Sequence, residues 1–326
     1  MKHYFLISLF VVMCFSVSLT SLITDSTISI EQVGDGYVEK EENLESYFNK
    51  LSYFVTRESK PVLKVDTREL IQSKSASGKI FNFYGPVGIA YSKSSEPIAY
   101  KAENGTYTFN DNVLVLKNEV EVKTTSSNMR SDKVIYQIEQ DKIEGFGNVK
   151  TNTLIQQTLD LINVKSERFD SYPNKKLIYF YEKVKGKVER KKKYEESVKF
   201  SSNTLKLDLP INKISLNGDV FINKGNLKTW AKSGEMFLEN YNKRLKYFSL
   251  YDDVRVEENL LIDGRSVLRK AFGERLEGFT SLDRLVLTGY PKVYQEGDVI
   301  KGNKITLRIN NEVVEVDDAN TRFKLK

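Results

Sequence analysis

The feature that most constrains this chain is a phrase that recurs from about residue 100 to the C-terminus. A strand-like run leads into a polar turn, a second strand-like run and a closing step in which Gly, Asn or Asp precedes Val. The clearest copies close at Gly147-Asn148-Val149, Gly218-Asp219-Val220 and Asp252-Asp253-Val254, with a looser one at Gly289-Tyr290-Pro291-Lys292-Val293. A unit of roughly 30 residues that alternates apolar and polar side chains cannot bury its apolar face alone. Copies must therefore stack into a continuous β structure, and function is expected along the surface or groove that the stacking creates.

Several runs show which face turns inward, because strand side chains alternate with a period of two. Val134, Tyr136 and Ile138 share one face, opposite Lys133 and Gln137. Leu205, Leu207 and Leu209 oppose Thr204, Lys206 and Asp208, and Ile305, Leu307 and Ile309 oppose Lys304, Thr306 and Arg308. In Lys176-Leu177-Ile178-Tyr179-Phe180-Tyr181 both faces are apolar and the parity stays open. Tyr53-Phe54-Val55 and the runs 61–65 and 79–84 read as the first strands, and Pro86, Pro97, Pro173, Pro210 and Pro291 fall at turns or run starts, where a missing N–H does no harm. No run is helical over a useful length, so the class is all-β: an elongated body of stacked antiparallel strands behind an N-terminal segment.

That segment sets the compartment. Residues 4–23 carry no charge and are about long enough to cross a bilayer as a helix. The expectation is a retained single-pass anchor with its N-terminus in the cytoplasm. A cleaved signal peptide, with Ser16-Val17-Ser18 as its small-residue site, is the competing reading. Residues 31–50 read as a polar tether with a helical turn or two around 44–51.

Composition removes several chemistries. The only Cys is Cys14, inside the apolar run, and the only His is His3, before it. Ser-His-Asp and Cys-His catalysis and His- or Cys-ligated metals are thereby excluded from the folded part, and no cofactor is expected. Carboxylate chemistry stays open, but pairs such as Asp252-Asp253 and Asp317-Asp318 read as turns, and Gly145-Phe146-Gly147 reads as a strand end, not as a phosphate loop. The net charge of +6 admits an anionic partner. The basic run Arg190-Lys191-Lys192-Lys193, near Lys183, Lys185 and Lys187, reads first as a solvated hairpin loop, with lipid phosphates or anionic headgroups as the alternative; nucleic acid is not expected beside an export segment.

Pro61-Val62-Leu63-Lys64-Val65-Asp66, Phe83-Tyr84-Gly85-Pro86-Val87-Gly88, Pro97-Ile98-Ala99-Tyr100-Lys101-Ala102-Glu103-Asn104-Gly105-Thr106-Tyr107 and Leu114-Val115-Leu116-Lys117-Asn118-Glu119-Val120-Glu121-Val122 resemble the LptC family, the membrane-anchored component of lipopolysaccharide transport. The runs from Ser131 to Val149 and from Leu285 to Ile305 are similar to the OstA-like repeats of LptA. The resemblance implies an anchor at 1–24, a tether at 25–50, an LptC-like β-jelly-roll at 51–155 and LptA/OstA-like repeats at 156–326.

It also implies a twisted β-jelly-roll whose apolar interior carries the acyl chains of lipopolysaccharide. Exposing those chains to water costs about 0.8 kcal/mol per CH₂. The side chains expected to line the interior are Tyr107, Phe109, Leu116, Val134, Tyr136, Ile138, Leu205, Leu207, Leu209, Ile305, Leu307 and Ile309. Implied partners are lipopolysaccharide, inner-membrane ABC transporter subunits and a periplasmic or outer-membrane β-jelly-roll protein at the C-terminal edge. The implied location is the inner membrane, with the bulk of the chain in the periplasm and no catalysis by this chain. Two rival classes are a structural or adhesive β-solenoid and a carboxylate-dependent carbohydrate enzyme, which requires Asp and Glu clustered on one face of adjacent strands.

Overall fold

The computed structural model describes residues 30–32, 44–57, 59–75, 78–91, 96–156, 159–191, 196–238, 245–262, 264–279 and 282–317. The apolar run 4–23 and most of the tether lie outside the described residues. Among the described residues no helix is long and apolar enough to cross a membrane.

The described residues form one 22-stranded antiparallel system. Its N-terminal part comprises β1 (Ile30–Gln32), β2 (Leu44–Arg57), β3 (Lys60–Ser75), β4 (Gly78–Tyr84), β5 (Val87–Tyr91), β6 (Pro97–Lys101) and β7 (Asn104–Thr108). Long strands follow: β8 (Val113–Lys123), β9 (Ser127–Gln137), β10 (Lys142–Ile155), β11 (Asp160–Tyr172), β12 (Leu177–Glu189), β13 (Val198–Asp208), β14 (Lys213–Lys224), β15 (Leu227–Leu238), β16 (Leu245–Ile262) and β17 (Arg265–Phe279). Short strands close the body: β18 (Arg284–Thr288), β19 (Lys292–Gln295), β20 (Asp298–Lys301), β21 (Lys304–Arg308) and β22 (Val314–Asp317). The expected helical turn around 44–51 is instead the first half of β2, whose pairing with β3 overrides local preference.

Pairing reveals two layers. Strand β8 pairs with β7 through 113–117 and with β6 through 121–123. Likewise β3 divides between β4 and β5, and β17 between β18 and β19. Each long strand thus passes through a corner, with one half in a layer containing β4, β7, β18, β21 and β22 (layer I) and the other in a layer containing β5, β6, β19 and β20 (layer II).

The recurring Gly/Asn/Asp-Val step is this corner. It closes no hairpin: Gly147-Asn148 lies inside β10, Gly218-Asp219 inside β14 and Asp252-Asp253 inside β16, each at a break in register. Both residues of each pair have positive φ: 75° and 46° at Gly147 and Asn148, 76° and 48° at Gly218 and Asp219, 64° and 51° at Asp252 and Asp253. Left-handed backbone favours Gly, Asn and Asp, and two such residues in succession turn the strand from one layer to the other. Asn118-Glu119 and Glu182-Lys183 do the same on β8 and β12. The turn reading of Asp252-Asp253 and the strand-end reading of Gly145-Phe146-Gly147 are corrected accordingly. Asp317 ends β22 opposite Lys304, and Asp318 lies outside the described residues.

A bend leaves carbonyls out of the ladder, and a buried hydroxyl two residues earlier on the same strand answers that. Thr67 donates to the Glu69 carbonyl (2.7 Å), Ser131 to Lys133 (3.1 Å), Ser166 to Arg168 (3.0 Å) and Ser202 to Thr204 (2.8 Å). Opposite the corner valines, Ser131 and Ser166 give way to Ala231 and Gly273 on β15 and β17.

Because both halves of a strand turn their apolar side chains toward the space between the layers, a single hydrophobic cluster runs from Leu51 to Leu307. Parity is now readable in β12: Ile178 and Phe180 point in, while Tyr179 and Tyr181 lie on the outer face with Arg168 and Lys206 against their rings. Thr306, expected outside, is buried between the strands flanking β21.

Candidate functional site

The twelve side chains expected to line the interior all belong to layer I, where register sorts them into rows. Leu116 sits beside Val134, Val134 beside Gly145, then Phe169, Phe180, Leu205, Leu216, Gly234, Leu250, Leu276, Leu287 and Ile305. The next row begins Tyr107, Leu114, Tyr136, Ile143 and continues through Ile178, Leu207 and Ile214 to Leu285 and Leu307. Large side chains fit because glycines alternate with them. A Cβ on Gly145 would stand 1.9 Å from Phe169 Cε1, so only glycine admits that ring. Phe109, Ile138, Leu209 and Ile309 occupy the hairpin tips, forming one lip of the mouth between the layers. Ile138 is buried there, and the other three are half-buried against the core.

Layer II supplies the facing half of the interior: Val122, Met129, Val164, Phe200, Ile222, Val256 and Ala271 are all buried. Sequence reading did not single these out, although the alternation that marks them resumes directly after each corner.

Among the described residues the mouth is bridged near both ends, with a cleft between the bridges. On the N-terminal side Arg57 of layer II reaches Glu139 of layer I at 2.7 Å, and the Tyr136 hydroxyl reaches the Tyr91 carbonyl at 3.4 Å. Burial, more than the neighbouring Asp141 carboxylate, drives the Tyr136 hydroxyl well above the usual phenol range. The Tyr107 hydroxyl is pushed up to about 12 by burial, with Arg57 opposing and Glu139 assisting, so both remain neutral donors.

On the C-terminal side a fully buried ion pair closes the mouth. Arg269 of β17 and Glu258 of β16 lie directly opposite each other, inward-facing, with Arg269 Nη2 donating to Glu258 Oε2 at 2.5 Å. The guanidinium also donates to the Arg308 carbonyl (2.6 Å) and the Asn311 carbonyl (2.8 Å), and Glu258 Oε1 accepts from the Asn310 amide (2.7 Å). Asn226, at a layer II tip, donates to Asn310 Oδ1 (2.8 Å).

Between these closures a cleft of about 360 Å³ opens into the seam. Its layer II wall is 124–127, Met129 and 154–156; its layer I wall is 171–173, 176–178, Leu209 and Pro210. Apolar atoms from Met129, Leu154, Ile155, Leu177, Ile178 and Leu209 line it, and Leu154 is 42% exposed. The innermost polar groups satisfy each other, since Ser127 and Thr153 share a hydrogen bond of 2.9 Å along layer II. The cleft therefore sets an apolar floor beneath a broad polar rim that includes Glu96, Thr124, Thr125, Gln156 and Lys176.

Two carboxylates do come together at Glu144 and Asp170, which are opposite each other on β10 and β11. Both are held by cations: Lys142 at 2.7 Å and 3.2 Å, and Arg168 at 3.5 Å and 3.2 Å. Burial lowers the Lys142 ammonium, but the hydrogen bonds to Glu144 and Asp170 outweigh it and raise it. This is a charge-neutralised network on the outer face, not an acid and base poised across a substrate. Among the described residues no group of three or more His, Cys, Asp or Glu is placed to hold a metal ion. Arg190, expected in a solvated loop, is instead buried against Asp160 at 2.6 Å; Lys191 is exposed, and Lys192 and Lys193 lie outside the described residues.

Residues 100–207 match the family model of OstA-like protein, and residues 199–313 match the model described as LptA/(LptD N-terminal domain) LPS transport protein. No curated protein matches this chain. Among solved structures it is similar to LptH of Pseudomonas aeruginosa, described as the LptA homologous periplasmic component of the conserved lipopolysaccharide transport device. The identity is 21% over 37% of this chain and 82% of that one, with a TM-score of 0.34. Neither family model is that of LptC. From residue 100 to 313, the stack that carries the rows, the cleft and the C-terminal clasp is similar to the repeats of OstA-like and LptA-type lipopolysaccharide transport proteins.

Proposed function

We propose that this chain carries lipopolysaccharide across the periplasm, holding its acyl chains between the two layers while sugars and phosphates stay outside. The observation that carries this reading is the apolar-floored cleft, which reaches Ile178 of the continuous inward row that runs from Tyr107 and Tyr136 through Leu207 to Leu307. The matches to OstA-like and LptA-type models support the ligand. Those rows are closely packed, so acyl chains enter by displacing the lip residues Phe109, Ile138, Leu209 and Ile309 along the mouth, exchanging one apolar contact for another at little free-energy difference.

On this reading residues 4–23 anchor the chain in the inner membrane, 51–155 act as the LptC-like segment that receives lipid from ABC transporter subunits, and 156–326 pass it outward. Transfer proceeds with no covalent chemistry by this chain. Among the described residues the stack ends in open strand edges, β1 and β2 at one end and β20 with β22 at the other, and such edges add strands from a partner. The C-terminal edges are the docking place for a periplasmic or outer-membrane β-jelly-roll protein.

The test is mass spectrometry of lipid co-purified with the full chain and with Leu177→Glu, which puts a charge in the cleft wall and leaves the N-terminal segment unchanged. Lipopolysaccharide on the wild type and its loss from the variant are expected. Its absence from the wild type, or equal amounts on both, overturns the reading.

A further inference from the structure

The outer face of layer II carries an arrangement that sheets ordinarily avoid. Arg130, Lys150, Lys165 and Lys185 are direct cross-strand neighbours on β9, β10, β11 and β12. One row further out Lys187 faces Lys199. Adjacent strands are about 4.8 Å apart, so four cations stand shoulder to shoulder, and like charges directly opposite each other destabilise a sheet. Arg130 is paired with Glu121, and Lys187 with Glu189 at 2.9 Å. Lys150, Lys165, Lys185 and Lys199 are exposed and make no ion pair with another described residue.

Layer I carries a shorter version of the same arrangement. Lys117 faces Lys133, which lies over Phe146, and the neighbouring cations are interleaved with rings and carboxylates: Arg168 lies over Phe146 and Tyr181, and Lys206 and Lys213 are paired with Asp208 and Glu235. A run of four cross-strand cations with three exposed lysines outside any described ion pair belongs to layer II.

Two further facts say what would complete it. The strip lies on the flat face of a sheet, with no buried donor and no concavity to converge on one phosphate. Toward the mouth it gives way to Leu154 and Leu161, opposite each other, and to Leu159, which is 39% exposed. Flat, multivalent and cationic with an apolar margin is the complement of an anionic headgroup layer over hydrocarbon. We infer that the outer face of layer II over β9 to β13 docks on an anionic phospholipid surface, with Lys150, Lys165 and Lys185 in the headgroup layer and Leu154 and Leu159 at the acyl boundary. Docking in this orientation turns the cleft, whose wall includes Leu154, toward the lipid. The inference does not rest on the identity of the carried lipid.

The test is co-sedimentation of the full chain with phosphatidylcholine vesicles with and without phosphatidylglycerol. Two triple variants are compared: Lys150→Gln/Lys165→Gln/Lys185→Gln, and Lys117→Gln/Lys133→Gln/Lys206→Gln on layer I, which removes equal charge. Insertion of the N-terminal apolar segment contributes equally to all three proteins, so the comparison isolates the face. The anionic lipid should strengthen binding of the wild type, and the layer II triple should lose about tenfold or more of that gain while the layer I triple keeps it. Equal losses in the two triples reduce the effect to net charge and overturn the inference, as does a layer II triple that binds like the wild type. Salt slopes of the three proteins check the count, since the layer II triple alone should show the shallower dependence.

Discussion

The middle of the mouth and its C-terminal end are built on the same two layers, yet one is open and the other is shut. At the C-terminal end the inward row of layer II carries Arg269 and Glu258, long side chains that span the gap and require partners, and they take them from the 308–311 tip of layer I. In the middle the same row carries Ser127 and Thr153, which reach only each other. The architecture itself therefore neither opens nor closes the seam. Side-chain length and polarity in one row of layer II decide it, and a buried charge pair closes the seam because leaving it unsatisfied is expensive.

The comparison is most strongly tested by removing one half of the clasp. Arg269→Ala leaves Glu258 buried and unpaired, and should cost about 4 kcal/mol in urea unfolding. The loss should be accompanied by faster amide exchange in β18 to β22 with β9 to β13 unaffected. Uniform exchange loss along the chain would show that the clasp supports the whole stack, not its end.

A smaller effect is expected from the shared core. Leu207→Ala, fully buried midway along the second row, should cost about 3 kcal/mol and add space beneath the lip. If the interior yields to acyl chains as described, added lipopolysaccharide should recover part of that stability. A variant unmoved by lipid would place the carried chains elsewhere.

The smallest effect belongs to the corners. Ser202→Ala removes the hydroxyl that satisfies the Thr204 carbonyl and should cost about 1 kcal/mol. Ala231 already occupies the position opposite Val220, so Ala231→Ser should be near neutral or slightly stabilising. A loss above that of Leu207→Ala would mean that the corner hydroxyls hold the two layers together.

Much of the fold was legible in the sequence because strand parity is a local property. Leu205, Leu207, Ile305 and Leu307 point inward as alternation requires, since one buried face fixes register. The meaning of Gly147-Asn148 and its counterparts was not legible. Left-handed residues serve hairpin turns and mid-strand bends equally, and only pairing across both neighbours separates them. The same blindness hid layer II: without the corner, nothing says that Val122, Met129 and Phe200 face Leu116 and Leu207 instead of forming a separate body. The clasp was invisible for another reason. Glu258 and Arg269 look like the other alternating charges, and their burial depends on a tip 39 to 52 residues away in sequence. The cleft, too, arises from contacts between distant hairpins, while the tips Ile138 and Leu209 were found because alternation continues into them.

The central claim is that lipid meets the interior through the middle of the mouth and not through its clasped end. Photo-crosslinkers at Leu177, in the cleft wall, and at Asn311, on the same lip beside the clasp, test it in one experiment with lipopolysaccharide supplied to the full chain. Labelling at Leu177 should exceed that at Asn311 at least several-fold, and Arg269→Ala should raise the label at Asn311. Equal labelling at the two positions in the intact chain, or label at Asn311 alone, would contradict the account.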